Sequence, residues 1–136
     1  MKKVPILLVV ILFSVTLGLI SCGGGGGNSP SNVVKKGLYT FYDKNYEDVA
    51  KLYAKKDGTL LTEEEQAKVI GMLSMAMEKQ AKKEGIKNLE ILEETISEDG
   101  NTATVKYTIF FNNGDEDTST EKLIRIDNDW YMLITG

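Results

Sequence analysis

Near Gly85 the spacing of apolar residues changes from about 3.6 to 2. That switch restricts the folds open to the chain more than any other feature, because the two periods belong to helices and strands. Upstream, Ser31 or Asn32 can cap a first helix in which Val34, Leu38 and Phe41 recur at helical spacing, with Tyr42 beside them. Gly37 weakens it by about 1 kcal/mol relative to alanine. Asn45 is placed to cap a second helix, where Tyr46, Val49, Ala50 and Tyr53 fall at i, i+3, i+4 and i+7. Asp57-Gly58 breaks that pattern. Thr62-Glu63-Glu64-Glu65 reads as a capping box, in which threonine and Glu65 each satisfy a free backbone N–H of the other's residue. The third and longest helix follows. Ile70, Leu73, Met77 and Ala81 form its stripe, widened by Val69, Met72 and Ala76, and Gly85 stops it.

Downstream, residues 88–97 read as a strand, and Asp99-Gly100 as a hairpin turn. Ala103, Val105, Tyr107, Ile109 and Phe111 alternate with Thr102, Thr104, Lys106 and Thr108, the clearest strand pattern in the chain. Asn113-Gly114 marks a second hairpin. A third strand covers about 117–127, with Ile124 and Ile126 on one face. Asp127-Asn128-Asp129 turns into a last strand, Trp130 to Ile134. Helices followed by hairpin-linked strands specify an α+β domain. The expected architecture is three N-terminal helices packed on a curved, four-stranded antiparallel meander, with the long helix across its concave face.

Residues 1–21 follow the three-part secretion pattern: Lys2 and Lys3, an apolar stretch from Val4 to Ile20, and a short polar boundary. Leu19-Ile20-Ser21-Cys22 has the order of a bacterial lipobox. In that chemistry the thiol accepts a diacylglyceryl group, and cleavage falls between Ser21 and Cys22. The freed amine can then carry a further fatty acyl chain such as palmitate. An uncleaved transmembrane anchor would predict no particular residue at the end of the run, yet the single cysteine of the chain stands there. Two or three chains give stable membrane attachment where one is marginal. Gly23 to Gly27 with Asn28, Ser29 and Pro30 form a flexible tether. The expected division is a signal peptide over 1–21, lipidated cysteine and tether over 22–30, and one domain over 31–136.

Composition removes several functions. The chain has 16 Lys+Arg against 20 Asp+Glu. Losing Lys2 and Lys3 with the leader leaves 14 against 20, or −6. A negative domain repels nucleic-acid backbones. With no histidine and a lipidated cysteine, Ser-His-Asp catalysis, Cys-His catalysis, a disulfide and the usual zinc sites are all excluded. Asp115-Glu116-Asp117 and Asp127-Asn128-Asp129 lack the ligand spacing of a calcium loop and read as turns. No metal or other cofactor is expected.

Several segments resemble a known family: Asn45-Tyr46-Glu47-Asp48-Val49-Ala50, Gly85-Ile86-Lys87-Asn88-Leu89-Glu90, Gly100-Asn101-Thr102-Ala103-Thr104-Val105 and Asp129-Trp130-Tyr131. Over about residues 31–134 the chain is similar to the DUF4878 family of bacterial lipoproteins. That family is also labelled lumazine-binding-like and belongs to the NTF2-like (cystatin-like) superfamily. The resemblance implies a cone of helices on a curved sheet, often enclosing an apolar cavity. It carries over no catalytic motif. Candidate wall residues are Phe41, Tyr42, Tyr46, Tyr53, Met72, Met75, Met77, Tyr107, Phe110 and Trp130, since aromatics and methionine suit flat apolar ligands. Ordinary core packing is the competing use of the same residues.

Superfamily isomerases pair a carboxylate base with a tyrosine. Here the acids cluster in turns and helix starts (Glu63–Glu65, Asp99, Asp115–Asp117, Asp127, Asp129), where solvated, unshifted groups are expected, and Glu94 is the one exception. Asp117-Thr118-Ser119-Thr120-Glu121 reads as a polar run toward a sheet edge. The expected function is a membrane-tethered, non-catalytic cell-envelope lipoprotein that binds an envelope protein or a small apolar ligand. An isomerase-type enzyme and a ligand-free scaffold are the alternatives. The expected location is a bacterial membrane, the outer one where the host has two, with a homodimer through the sheet as a further candidate partner. Cys22→Ala should leave the precursor uncleaved and abolish incorporation of radiolabelled fatty acid. Normal labelling of that variant would defeat the lipid-anchor assignment.

Overall fold

A computed structural model describes residues 29–134. The leader, Ser21, Cys22 and the glycine run lie outside the described residues. The elements are helix α1 (Pro30–Tyr42), helix α2 (Tyr46–Ala50), strand β1 (Tyr53–Ala54), helix α3 (Glu63–Gln80) with a 3₁₀ turn Ala81–Lys83, and strands β2 (Ile86–Ile96), β3 (Thr102–Phe111), β4 (Glu116–Ile126) and β5 (Asp129–Leu133). Among these described helices none is long and apolar enough to cross a membrane.

Most helix signals are met locally. The capping box forms, with the Thr62 N–H donating to Glu65 Oε1 at 2.9 Å and the Glu65 N–H to Thr62 Oγ1 at 3.2 Å. Asn45 caps α2 by accepting from the Asp48 N–H and donating to the Asp48 carboxylate. The first helix starts earlier than expected. Its cap is Ser29, which accepts from the Asn32 N–H, and Pro30 takes the first helical position, where a missing N–H costs nothing. The second helix is shorter than expected. It ends at Ala50, so Tyr53 leaves the helical face and enters a strand.

The sheet has five strands in the order β1-β5-β4-β3-β2 and is mixed. This corrects the expectation of a four-stranded antiparallel meander. The four long strands are antiparallel neighbours, but β1 adds to the far side of β5 in parallel, with Tyr53 opposite Met132 and Ala54 opposite Leu133. A two-residue strand is too short to show any period. Turn chemistry fixes the rest. Asp127 and Asn128 both adopt positive φ, the pair that a two-residue type I′ hairpin needs. Gly100 and Gly114 take the positive-φ positions of the other two hairpins.

The packing also departs from expectation. Helix α1, not the long α3, lies on the sheet, where Val33 and Val34 join Leu89, Val105, Tyr107, Phe111, Leu123, Trp130 and Met132 in the main core. Gly37 eases this approach. A Cβ there would stand 2.6 Å from Met132 Cε, so any side chain at 37 would require the flexible Met132 side chain to move aside. Helix α3 packs chiefly on α2, through a smaller cluster of Ala50, Leu61 and Val69. On β4 and β5 the core face is that of Leu123, Trp130 and Met132, leaving Ile124 half-buried on the opposite face.

Trp130 is 5 % exposed and belongs to this core, with Arg125 5.8 Å from its ring centre. Trp130→Ala should therefore cost about 3–5 kcal/mol, read as a lowered urea midpoint. A midpoint unchanged from wild type would contradict the packing.

Candidate functional site

Because α1 occupies the sheet near β5 while α3 leans on α2, a cleft remains between the two helices and the sheet. Leu38, Phe41 and Tyr42 from α1 form one wall, Ala76 and Gln80 from α3 another. Tyr107, Ile109, Phe111, Asp117 and Ser119 from β3 and β4 form the floor. Its volume is about 250 Å³. The rings interlock at one end: Phe41 meets Tyr42 edge-on at 5.0 Å, and Tyr42 meets Phe111 at 5.7 Å. The Tyr42 hydroxyl donates to Gln80 Oε1 at 3.3 Å across the gap, tying α1 to α3.

The floor is polar for a reason of register. Strand β4 is interior, and Asp117, Ser119 and Glu121 stand opposite Ile109, Tyr107 and Val105 of β3. Alternation sends all three onto the helix-bearing face and leaves Thr118 and Thr120 on the back. This corrects the reading of the run as a sheet edge. The long edge is β2. Glu121 is half-buried, and burial raises its pKa. None of the ion pairs among the described residues reaches it. Tyr53 is pushed up to about 12 by burial first, then by Glu121 and Tyr107. Burial also raises Tyr42 to about 12, with Asp117 and then Tyr107 adding. Tyr107 rises from burial and from Glu121, while the Ser119 hydroxyl partly offsets them. The phenols and the half-buried Glu121 thus share one face with Asp117 and Ser119, which stay exposed to solvent. Lys83 lies at the rim of that face, 3.3 Å from Asp117 and 3.5 Å from Asp115, with its ammonium 4.9 Å from the centre of the Phe111 ring.

Of the candidate wall residues, Phe41, Tyr42 and Tyr107 line the cleft. Tyr46 packs on Phe41 outside it, at 6.1 Å. Tyr53 stands on β1, close enough to Glu121 and Tyr107 to feel their charge. Met77 is buried without reaching the cleft, and Trp130 is core. Met72 and Met75 are corrected outright: at 64 % and 67 % exposed they project from the outer face of α3, because that helix buries Val69 and Met77 instead. Phe110 pairs with Asn88 and Glu116 on the back of the sheet, and Phe111 takes the place assigned to it. Gln80, Asp117, Ser119 and Glu121 were not foreseen. The alternation through Tyr107 and Phe111 was the one signal that could have led to them, once the β3–β4 register was known.

Glu94, the acid set apart from the turns and helix starts, has a structural part. It accepts from the Ser31 N–H at 3.0 Å and from the Ser31 hydroxyl, holding the start of α1. The turn and helix-start acids are not all unshifted. The Ser97 hydroxyl holds Asp99 below the usual carboxylate range, and the Thr62 backbone does the same for Glu65. Among the described residues no three carboxylates or other ligands converge as a metal site. A larger trough of about 360 Å³ crosses the back of the sheet, but threonines, Ser97 and Lys122 line it without convergent charge or rings.

The half-buried Glu121 has a thermodynamic signature. Since the folded pKa of Glu121 exceeds the unfolded one, its desolvation opposes folding above the folded pKa and vanishes below the unfolded pKa. Glu121→Gln should therefore raise Tm at pH 7, with the gain shrinking as pH falls through the carboxylate range. An equal gain at pH 7 and pH 3.5 would show that burial of the charge is not its cause.

Comparison places this geometry among known folds. An NTF2-like protein from Campylobacter jejuni, provisionally named a transpeptidase, superposes with a TM-score of 0.64 at 22 % identity, covering 79 % of this chain and 100 % of its own. A SEC-C motif containing protein from Rhodopseudomonas palustris gives 0.54 at 14 % identity, over 78 % and 76 % of the two chains. At these identities the likeness shows the fold alone. No curated protein matches the sequence. The model of the family described as a domain of unknown function, DUF4878, matches residues 21–133, and the chain belongs to that family, with an NTF2-like fold.

Proposed function

We propose that the protein is a lipid-anchored, non-catalytic component of the bacterial cell envelope that binds a small molecule with an apolar body in the cleft between α1, α3 and the β3–β4 face. The address rests on Leu19-Ile20-Ser21-Cys22 and the glycine run after it. The binding role rests on one observation. Aromatic walls and a polar floor surround about 250 Å³ that the core leaves open. The volume lies just under the ~300 Å³ at which drug-sized sites begin, which suits a compact ligand. Apolar walls with a few convergent polar groups are the usual composition of such sites.

Glu121 favours a second reading. A half-buried carboxylate with a raised pKa beside Tyr53 and Tyr107 is the kind of pairing an isomerase-type enzyme uses for proton transfer. Its distance along β4 from the cleft, one alternate position beyond Ser119, favours binding over chemistry.

Native mass spectrometry of the lipidated chain, purified in mild detergent from its host, tests the binding role. A co-purifying small molecule, lost in a Tyr42→Ala variant, is the expected result. A co-purifying protein in its place would move the function to partner recognition, and a bare chain would leave a scaffold.

A further inference from the structure

We infer that the outward face of α1 rests on anionic phospholipid headgroups, so that the anchored domain meets its membrane in one orientation. The inference rests on the lipid anchor proposed above and adds to it which surface faces the bilayer.

Helix α1 carries two opposite stripes. Pro30, Val33, Val34 and Gly37 are buried, the two valines in the main core. Asn32, Lys35, Lys36 and Tyr39 fall at i, i+3, i+4 and i+7 on the other side and are exposed, Tyr39 by 45 %. None of the thirteen residues of the helix is acidic, and the next charge along the chain, Asp43, comes after the helix has ended. Neither lysine joins an ion pair among the described residues. Glu94, beside the helix start, is occupied by the Ser31 N–H and hydroxyl. The lysines at the end of α3 differ: Lys79, Lys82 and Lys83 alternate with Glu78 and Glu84, and Lys83 is held by Asp115 and Asp117. Taking Lys35 and Lys36 from the 14 basic residues that follow the leader leaves 12 Lys+Arg against 20 Asp+Glu. An anionic bilayer therefore repels most of the domain and attracts α1.

The chain brings that face to the bilayer. Ser29 is the cap of α1, and only seven residues, Cys22 to Asn28, separate it from the lipidated position. Seven residues reach about 25 Å at full extension and about 15 Å as a flexible coil. The basic stripe begins at Asn32, within one turn of the cap. Lysine stems lie along a bilayer surface with their ammonium groups at the phosphates, and a tyrosine ring suits the headgroup layer. The anchor supplies attachment, so the two lysines need only select an orientation. Each strengthens contact with an anionic surface about fivefold.

Lysine reactivity tests this. The full lipidated chain is placed in nanodiscs of phosphatidylcholine alone or of phosphatidylcholine and phosphatidylglycerol in equal parts, and co-elution with the discs confirms attachment. A brief pulse of an acetylating reagent is then mapped by mass spectrometry. With phosphatidylglycerol present, Lys35 and Lys36 should react at least about fivefold more slowly than with phosphatidylcholine alone. The exposed Lys106 and Lys122 should keep their rates, and high salt should remove the difference at Lys35 and Lys36. Unchanged rates at Lys35 and Lys36 in a chain that elutes with both discs, or slowing shared equally by Lys106 and Lys122, would overturn the orientation while keeping the anchor. A chain that elutes with neither disc would overturn the anchor and the orientation together.

Discussion

The seat of α1 on the sheet, through Val33 and Val34 with Gly37 against the Met132 side chain, sets how the helices are arranged. With no side chain at residue 37, α1 drops onto β5 until its backbone meets a methionine side chain. That seats Val33 and Val34 in the main core and makes α1 the helix that covers the sheet. The long helix is then displaced to a second layer, where Ala50, Leu61 and Val69 hold it against α2. A sheet covered by a thirteen-residue helix leaves its helix-bearing face partly bare, and the bare part is the cleft.

That bare face is polar: Glu121 is half-buried, while Asp117 and Ser119 stay exposed to solvent. Asp117, Ser119 and Glu121 occupy consecutive inward positions of a central strand, where Val105 and Ile109 opposite them show what packing alone prefers. Removing a carboxylate from water without a partner is costly. At Glu121 the fold tolerates this because the β3–β4 ladder is continuous and the inward face of β3 is apolar.

Much of the architecture was legible because the relevant signals are local. Thr62 and Glu65, Asn45, Asp99-Gly100, Asn113-Gly114 and Asp127-Asn128 each act through hydrogen bonds or φ values within a few residues. The family resemblance was legible for the same reason, since its motifs are turns and caps. What escaped depends on distant partners. Strand β1 exists only because β5 offers it an edge, through the Met132 N–H to the Leu52 carbonyl and the Ile134 N–H to the Ala54 carbonyl. The run from Asp117 to Glu121 is equally polar on both faces, so alternation could not tell which residues point inward until β3 set the register. In α3 the stripe was broad enough to fit several rotations, and the choice that buries Met77 exposes Met72 and Met75.

The short parallel strand has an effect out of proportion to its length. It takes up hydrogen-bonding groups of β5, and Ala54 in turn bridges to Leu60, so that flank offers little to an incoming chain. Lateral growth into ribbons is left to β2 alone. There, irregular register near Ile91 and Glu93 and a series of charged side chains spoil a straight pairing surface. Two residues thereby close one flank of a sheet built of strands up to eleven residues long.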